Sequence, residues 1–243
     1  MSDPLRIAVA VEGETDEIIL RAVFGSLLGD TDFEFQTVQP EKSEAFSSTG
    51  MGWVGIYRWS RLSVSEGGGS LSGSEVLKNH DLLIHVDADV AGKTYSSGSI
   101  QDMPRDDLPC ELPCPPAHDT TDALGAVVLN WLGESAIPPQ VVLCTPSKSI
   151  ETWVLAAICP GNRMVKRDDW ECRPNPEGQL ATLPKKQRFQ KRPADYKKRQ
   201  VVVTAAWRKV SSRLTEAARF EDEFLEAVSE EKLLKALSDQ LAN

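Results

Sequence analysis

Three short, predominantly apolar runs constrain this chain most: residues 5–11 (LRIAVAV), 81–86 (DLLIHV) and 140–144 (QVVLC). A strand with one wet face alternates apolar and polar residues, whereas a strand covered on both faces reads as a near-continuous apolar run. A fourth segment, residues 33–38 (FEFQTV), does alternate and reads as a further strand. Between the runs, apolar residues recur at helical spacing: Ile18, Ile19, Ala22, Val23 and Leu27 within 16–28, then 121–132 and 149–158. Strands alternating with helices predict an α/β fold, a Rossmann-type parallel sheet with helices on both faces. The 243 residues, 41% of them hydrophobic, suffice for one domain of ordinary size with a small appendage.

Thr15 is the expected N-cap of the first helix, with Asp16 and Glu17 in its first turn, and Ser149 is the expected cap of the helix at 149–158. The Ser- and Gly-rich stretch 40–75, including GGGSLSGS, reads as a long loop, and the Pro-rich stretch from about 90 to 118 as a second irregular insertion. These considerations predict a domain over residues 1–160. A basic linker and C-terminal helices, near 200–218 and 221–241, follow over 161–243. No run of about eighteen apolar residues occurs, so no membrane-spanning helix is expected. The N-terminal residues lack the basic start and apolar middle of a signal peptide, and five cysteines make no obvious disulfide framework. Both points lead to an expectation of a cytoplasmic protein with reduced thiols. Cys110, Cys114 and His118, with Cys172 as a fourth candidate, are a weak match to a zinc site and read better as ordinary thiols.

The net charge of −9 argues against a generally basic nucleic-acid coat, but the charge is uneven. Residues 185–199 (KKQRFQKRPADYKKR) hold eight basic residues against one Asp, so this stretch carries +7 and the remainder −16. Lys185, Lys186, Arg188, Lys191, Arg192, Lys197, Lys198 and Arg199 form a candidate strip for a phosphate backbone, with Phe189 and Tyr196 placed to stack bases. A solvated linker is the competing reading of the same residues.

The chemistry-bearing residues sit at strand ends. Glu12 follows the first strand, and Asp87 and Asp89 follow the strand at 81–86. In a parallel sheet those ends can lie side by side, and Asp16, opening the next helix, can turn back to the same place. Gathered carboxylates repel one another and raise one another's pKa, and Mg²⁺ or Mn²⁺ relieves that repulsion through oxygen ligands. His85, inside its strand, reads as a packed histidine beside the acids, and Trp153 as core.

Two segments, V-E-G-E-T-D-E at 11–17 and H-V-D-A-D at 85–89, resemble the signature motifs of the TOPRIM (topoisomerase–primase) fold. The spacing Glu12-Gly-x-Thr-Asp16 is similar to the nuclease branch, which includes the overcoming-lysogenization-defect nucleases. The segment at 146–153 (PSKSIETW) is similar to a motif of small TOPRIM-like families of bacteria. The resemblance covers roughly residues 5–160 and implies Mg²⁺-dependent chemistry at phosphodiester bonds. It implies Glu12 as metal ligand or general acid/base, Asp87 and Asp89 as metal ligands, and Asp16 and Glu151 as completing a second metal position. The nuclease branch also uses a lysine near the last motif, for which Lys148 and Lys93 are the candidates. No tyrosine adjoins the motifs and no zinc or polymerase module is visible, which disfavours a topoisomerase or a primase.

The expectation is therefore a metal-dependent nuclease acting on DNA or RNA with one or two Mg²⁺ or Mn²⁺ ions, as an effector of bacterial anti-phage defence. The chain lacks a G-x-x-x-x-G-K-[ST] loop, so any ATPase would be a separate subunit. The alternatives are a non-catalytic metal- or nucleotide-binding regulatory subunit of such an ATPase, and a small-molecule phosphatase. The sequence sets no oligomeric state.

Overall fold

A computed structural model describes residues 4–40, 49–101, 106–185 and 187–228. Its centre is a four-stranded parallel sheet of β1 (Leu5–Ala10), β2 (Phe33–Gln39), β3 (Asp81–His85) and β4 (Val141–Cys144), in the order β2-β1-β3-β4. The chain is a Rossmann-like α/β fold with added C-terminal helices, as the alternation of apolar runs and helical periods predicts. From β1 the chain first pairs on one side, with β2, and then crosses to pair β3 on the other. That reversal makes a switch point between the carboxyl ends of β1 and β3, where sheets of this class open a crevice.

Side chains of successive strand residues divide between the two faces of the sheet. Ile7, Val9, Val11, Leu83, Val142 and Cys144 face one core, and Ala8, Ala10, Leu82, Ile84, Val141 and Leu143 face the other. The first face is covered by α1 (Glu14–Leu27), and the second by α2 (Gly52–Glu66), α3 (Glu75–Asn79) and α4 (His118–Trp131). α5 (Glu151–Ile158), α6 (Pro176–Thr182), α7 (Pro193–Lys197), α8 (Gln200–Ser211) and α9 (Thr215–Ala227) follow. Trp153, Phe189, Tyr196, Val203, Trp207, Phe220 and Phe224 from this part join the first core. One hydrophobic core thus runs across position 160: Phe24 stacks on Phe224 at 4.6 Å between centroids, and Thr204 donates to the Ala22 carbonyl at 2.8 Å.

Four expectations are corrected. The stretch 40–75 is not one loop, because α2 lies within it. Trp53, Ile56, Tyr57, Ser60 and Val64 recur at helical spacing, and Trp53, Ile56 and Tyr57 pack in the second core, a period hidden by the glycines and serines around them. The segment 67–73 is not loose, since Gly67 closes α2 on the Ser63 carbonyl and the Leu71 amide bonds the Leu132 carbonyl. The first helix begins at Glu14 with Gly13 as its cap, and α5 begins at Glu151 with Ile150 as its cap; the Thr15 and Ser149 hydroxyls go to carboxylates instead. Finally, Cys114 and Cys172 form a disulfide, so the expected full set of reduced thiols is wrong, and the zinc match, already disfavoured, loses two thiolates. Cys110, Cys144 and Cys159 stay free. Among the described residues no helix is long and apolar enough to cross a membrane. Most of the helix expected at 221–241 lies outside the described residues.

Candidate metal centre

The carboxyl end of β1 delivers Glu12 into the crevice. Its backbone carbonyl accepts from the Gly52 amide and its Oε1 from the Asp87 amide, both at 2.8 Å, so its position is fixed from α2 and from β3 together. Gly13 turns the chain at once into α1, whose first turn holds Asp16, only 3% exposed. A side chain on Gly13 would start 3.6 Å from Asp16 Oδ2, so the bare backbone there keeps the approach to that carboxylate open.

After β3 the D-x-D segment runs beside the loop that follows β4. The Val86, Ala88 and Asp89 amides donate to the carbonyls of Cys144, Pro146 and Lys148 at 3.0, 3.1 and 3.0 Å. Asp87 Oδ1 then accepts from the Ile150 amide at 2.9 Å. His85 is fully buried, with Nε2 3.2 Å from Asp87 Oδ1 but out of line for a hydrogen bond, and neither ring nitrogen has a hydrogen-bond partner among the described residues. Lys148 holds this loop in a left-handed conformation, φ 64°, and turns its ammonium to Glu111 Oε1 at 2.6 Å. Asp89 stands on the exposed rim, 3.2 Å from Lys93 Nζ.

The electrostatics follow from burial. Desolvation raises Glu12 and Asp87 well above the ordinary carboxylate range; the Asp87 charge pushes Glu12 further, and the Glu151 charge does the same to Asp87. Asp16 is pushed up to about 7, first by burial and then by Asp87 and Glu151, against the opposing effects of His85 and Lys191. Glu151 behaves in the opposite way. Burial alone would raise it, but the Lys191 charge and hydrogen bonds from Tyr196, Ser149 and Lys191 hold it below its usual value. Its Oε1 accepts from the Tyr196 hydroxyl and its Oε2 from the Ser149 hydroxyl, both at 2.7 Å, and Lys191 Nζ stands 3.2 Å from Oε1. Burial pulls the Lys191 ammonium down, but Glu151, Asp16 and Asp87 together hold its pKa well above normal.

Two clefts flank these groups. One of about 470 Å³ is lined by Asp89, Lys93, Glu111, Lys148, Asn175 and Glu177, among others, and one of about 360 Å³ by Gly13, Glu14, Asp16, Met51 and Pro193. Glu12, Asp87 and Lys191 line both, so they form the divide between the clefts.

Of the residues expected from sequence, Glu12, Asp16, Asp87 and Glu151 are brought together. Asp89 and Lys148 stand at the rim of the larger cleft. Lys191, expected in the phosphate-binding strip, is instead the cation of the carboxylate group. The rest of that strip is dispersed. Lys185 and Arg188 are exposed, Arg192 precedes α7, Lys197 pairs with Glu14 at 3.3 Å and Lys198 with Asp195 at 3.5 Å. Arg199 lies over the Phe189 ring, and Lys186 is outside the described residues. Phe189 and Tyr196 are buried against each other and cannot stack on bases, which corrects that expectation. Sequence reading missed Tyr196, Glu111 and Glu177 as members of the site, because each reaches it through long-range packing that no local motif records.

Compared with protein families, with curated proteins and with solved structures, the chain matches none. Among the described residues no three His, Cys, Asp or Glu side chains surround one common point as they stand. The donor chemistry nevertheless fits a hard cation: the carboxylates of Glu12, Asp16 and Asp87 carry their charge at a cost that a divalent ion would offset.

Proposed function

We propose that this protein is a Mg²⁺- or Mn²⁺-dependent nuclease that hydrolyses phosphodiester bonds of DNA or RNA at the crevice between β1 and β3. The observation that carries the reading is that Glu12 and Asp16, from the β1–α1 junction, and Asp87, after β3, line one cleft together with Lys191, and that the Asp87 charge raises the pKa of both other carboxylates. Glu12, Asp16 and Asp87 would hold the metal, with Asp89 on the open side. A metal bound there would supply charge neutralisation and would lower the pKa of water.

The chain's own residues prepare the rest. Lys191, on the divide between the two clefts, offers a positive charge to a phosphate passing from one to the other. Glu151, kept ionised by Tyr196, Ser149 and Lys191, anchors that ammonium, and this role differs from the second-metal role implied by the TOPRIM resemblance. The Ile150 amide holds Asp87 in place. The exposed Lys185, Arg188 and Arg192 would add positive charge for a phosphate backbone. Service as a defence effector directed by a separate ATPase is part of the proposal and rests on the resemblance alone. The test is incubation of the full chain with plasmid, linear duplex, single-stranded DNA and RNA in Mg²⁺ or Mn²⁺. Cleavage that is lost with a chelator and with Asp87→Asn supports the reading; a wild type that binds Mn²⁺ yet cuts none of these substrates contradicts it.

One observation favours a second reading. The three lysines of the larger cleft are each paired with a carboxylate: Lys93 with Asp89, Lys148 with Glu111, Lys191 with Glu151 and Glu177. A cleft whose cations are already neutralised suits a metal- or nucleotide-binding regulatory subunit without turnover. Metal binding without cleavage would select it.

A further inference from the structure

The Cys114–Cys172 bond joins two segments that are 58 residues apart in the chain, each of which contributes a wall of the larger cleft, one through Glu111 and the other through Pro174, Asn175, Pro176 and Glu177. Cys114 belongs to the segment 106–117, which is tied to its own side of the cleft: the Cys110 and Glu111 amides both donate to Ala91 O, at 2.7 and 3.0 Å, the Leu112 amide and carbonyl bond the Thr120 hydroxyl, and the Asp107 carboxylate accepts from Tyr95 and Asn130. On this wall Glu111 takes the Lys148 ammonium. Cys172 opens the segment that continues as Pro174, Asn175, Pro176 and Glu177 on the other wall, where Glu177 reaches Lys191 at 3.6 Å. This second wall has firm anchors of its own. The Trp170 indole donates to Thr152 O, the Ser147 hydroxyl to Glu171 O, and the Glu171 carboxylate accepts from the Thr215 and Glu216 amides. All of these tie residues 170–171 to α5, α9 and the loop after β4; none reaches 106–117. The disulfide is the covalent tie between the walls.

Both cysteines are partly exposed, so a thiol reagent can reach the bond. The free cysteines are poor competitors for it: Cys144 and Cys159 are buried, and burial pushes the Cys110 thiol up, away from the reactive thiolate. A disulfide that is reachable and lies beside a functional cleft has the setting of a regulatory bond rather than of a core staple.

We propose that Cys114 and Cys172 are a reversible redox-modification site that couples the two walls of the cleft when oxidised and releases them when reduced. The reductant is a dithiol. Its first thiolate attacks one sulfur of the bond and the other cysteine leaves as a thiolate that takes up a proton. The second thiolate then attacks the mixed disulfide, closing the reductant into a cyclic disulfide and freeing the remaining cysteine. Two electrons and two protons pass to the protein. A disulfide reagent such as glutathione disulfide reverses the step. The cleft is the one assigned above to nuclease chemistry, but the coupling is tested without that chemistry.

The full chain is oxidised with glutathione disulfide or reduced with dithiothreitol, and its free thiols are alkylated and located by peptide mass. Backbone hydrogen exchange is followed in parallel. Cys114 and Cys172 are expected to resist alkylation only in the oxidised chain. Reduction should speed exchange in 106–117 by about ten-fold while leaving β1 and α1 unchanged. Cys114→Ser and Cys172→Ser should exchange like the reduced wild type in either condition, whereas Cys110→Ser should keep the full redox response. Reduction of the wild type needs no substitution, so a variant that fails to fold leaves the comparison intact. Alkylation of Cys114 and Cys172 in the oxidised chain, or exchange that reduction does not alter, overturns the inference. Inertness toward nucleic acids with an intact redox response would contradict the nuclease reading and not this one.

Discussion

The hydroxyl of Tyr196, toward the end of the basic segment, donates a 2.7 Å hydrogen bond to the fully buried carboxylate of Glu151 on α5. The bond joins the C-terminal part of the chain to the acidic crevice. Its removal by Tyr196→Phe leaves an ionised buried oxygen with one donor fewer. A loss of about 2 kcal/mol in unfolding free energy is expected, typical of a hydrogen bond to a charged group. Denaturant titration of the two proteins measures it.

Lys191→Met removes the cation that Glu151 faces at 3.2 Å. The carboxylate is then uncompensated and its pKa should rise into or above the ordinary range, which carbon-13 NMR of the labelled carboxyl would read. Stability should fall by roughly 2 kcal/mol, less than for a wholly buried pair because part of the lysine side chain meets solvent. In the nuclease reading, cleavage falls far more than stability does.

The raised pKa of Asp16 sets a pH dependence. Its carboxyl titrates near 3.8 when unfolded and at about 7 when folded. Between these values the folded chain keeps a proton that the unfolded chain releases, so stability falls as pH rises through that window and levels off above it. Asp16→Asn should flatten this slope in metal-free thermal scans between pH 4 and about 7. Added Mn²⁺ should flatten it as well, by taking the place of the proton.

Much of the fold is legible in the sequence because two periods in it have direct physical meaning. Runs such as LRIAVAV cannot be half-wet, and the strand-end acids follow at once from where those runs stop. Adjacent parallel strands then bring Glu12 and Asp87 together, a pairing that needs only the positions of the two runs. α2 is not legible in the same way, since Ser- and Gly-rich flanks lower the local hydrophobic signal below that of its own period. The Lys191–Glu151–Tyr196 group is hidden for a different reason. Read locally, Lys191 and Tyr196 belong to a basic strip, and only the packing of α7 and α8 against α1 and α5 brings them to Glu151. Disulfide pairing is likewise a property of three-dimensional proximity, which the spacing of five cysteines does not encode.

Gly55 tests how α2 is seated beside the site. A methyl group there would come within 2.5 Å of Gln39 Nε2 and 2.6 Å of the Gly50 carbonyl, which are themselves hydrogen-bonded at 2.7 Å. Gly55→Ala should cost about 2 kcal/mol through this overpacking. It should also disturb the Gly52–Glu12 bond at the start of the same helix. Thermal melting checks the first effect. A shift of the Gly52 amide resonance checks the second.

The central claim is that Glu12, Asp16 and Asp87 bind a divalent metal, and calorimetric titration of the metal-free full chain with Mn²⁺ tests it most directly. Saturable binding is expected, weakened by at least about ten-fold in Asp87→Asn and in Glu12→Gln because each removes a ligand. Asp169→Asn, which removes a carboxylate that lines neither cleft, should bind like the wild type. Absence of saturable binding to the wild type, or equal binding by the Asp87 and Glu12 variants, would contradict it.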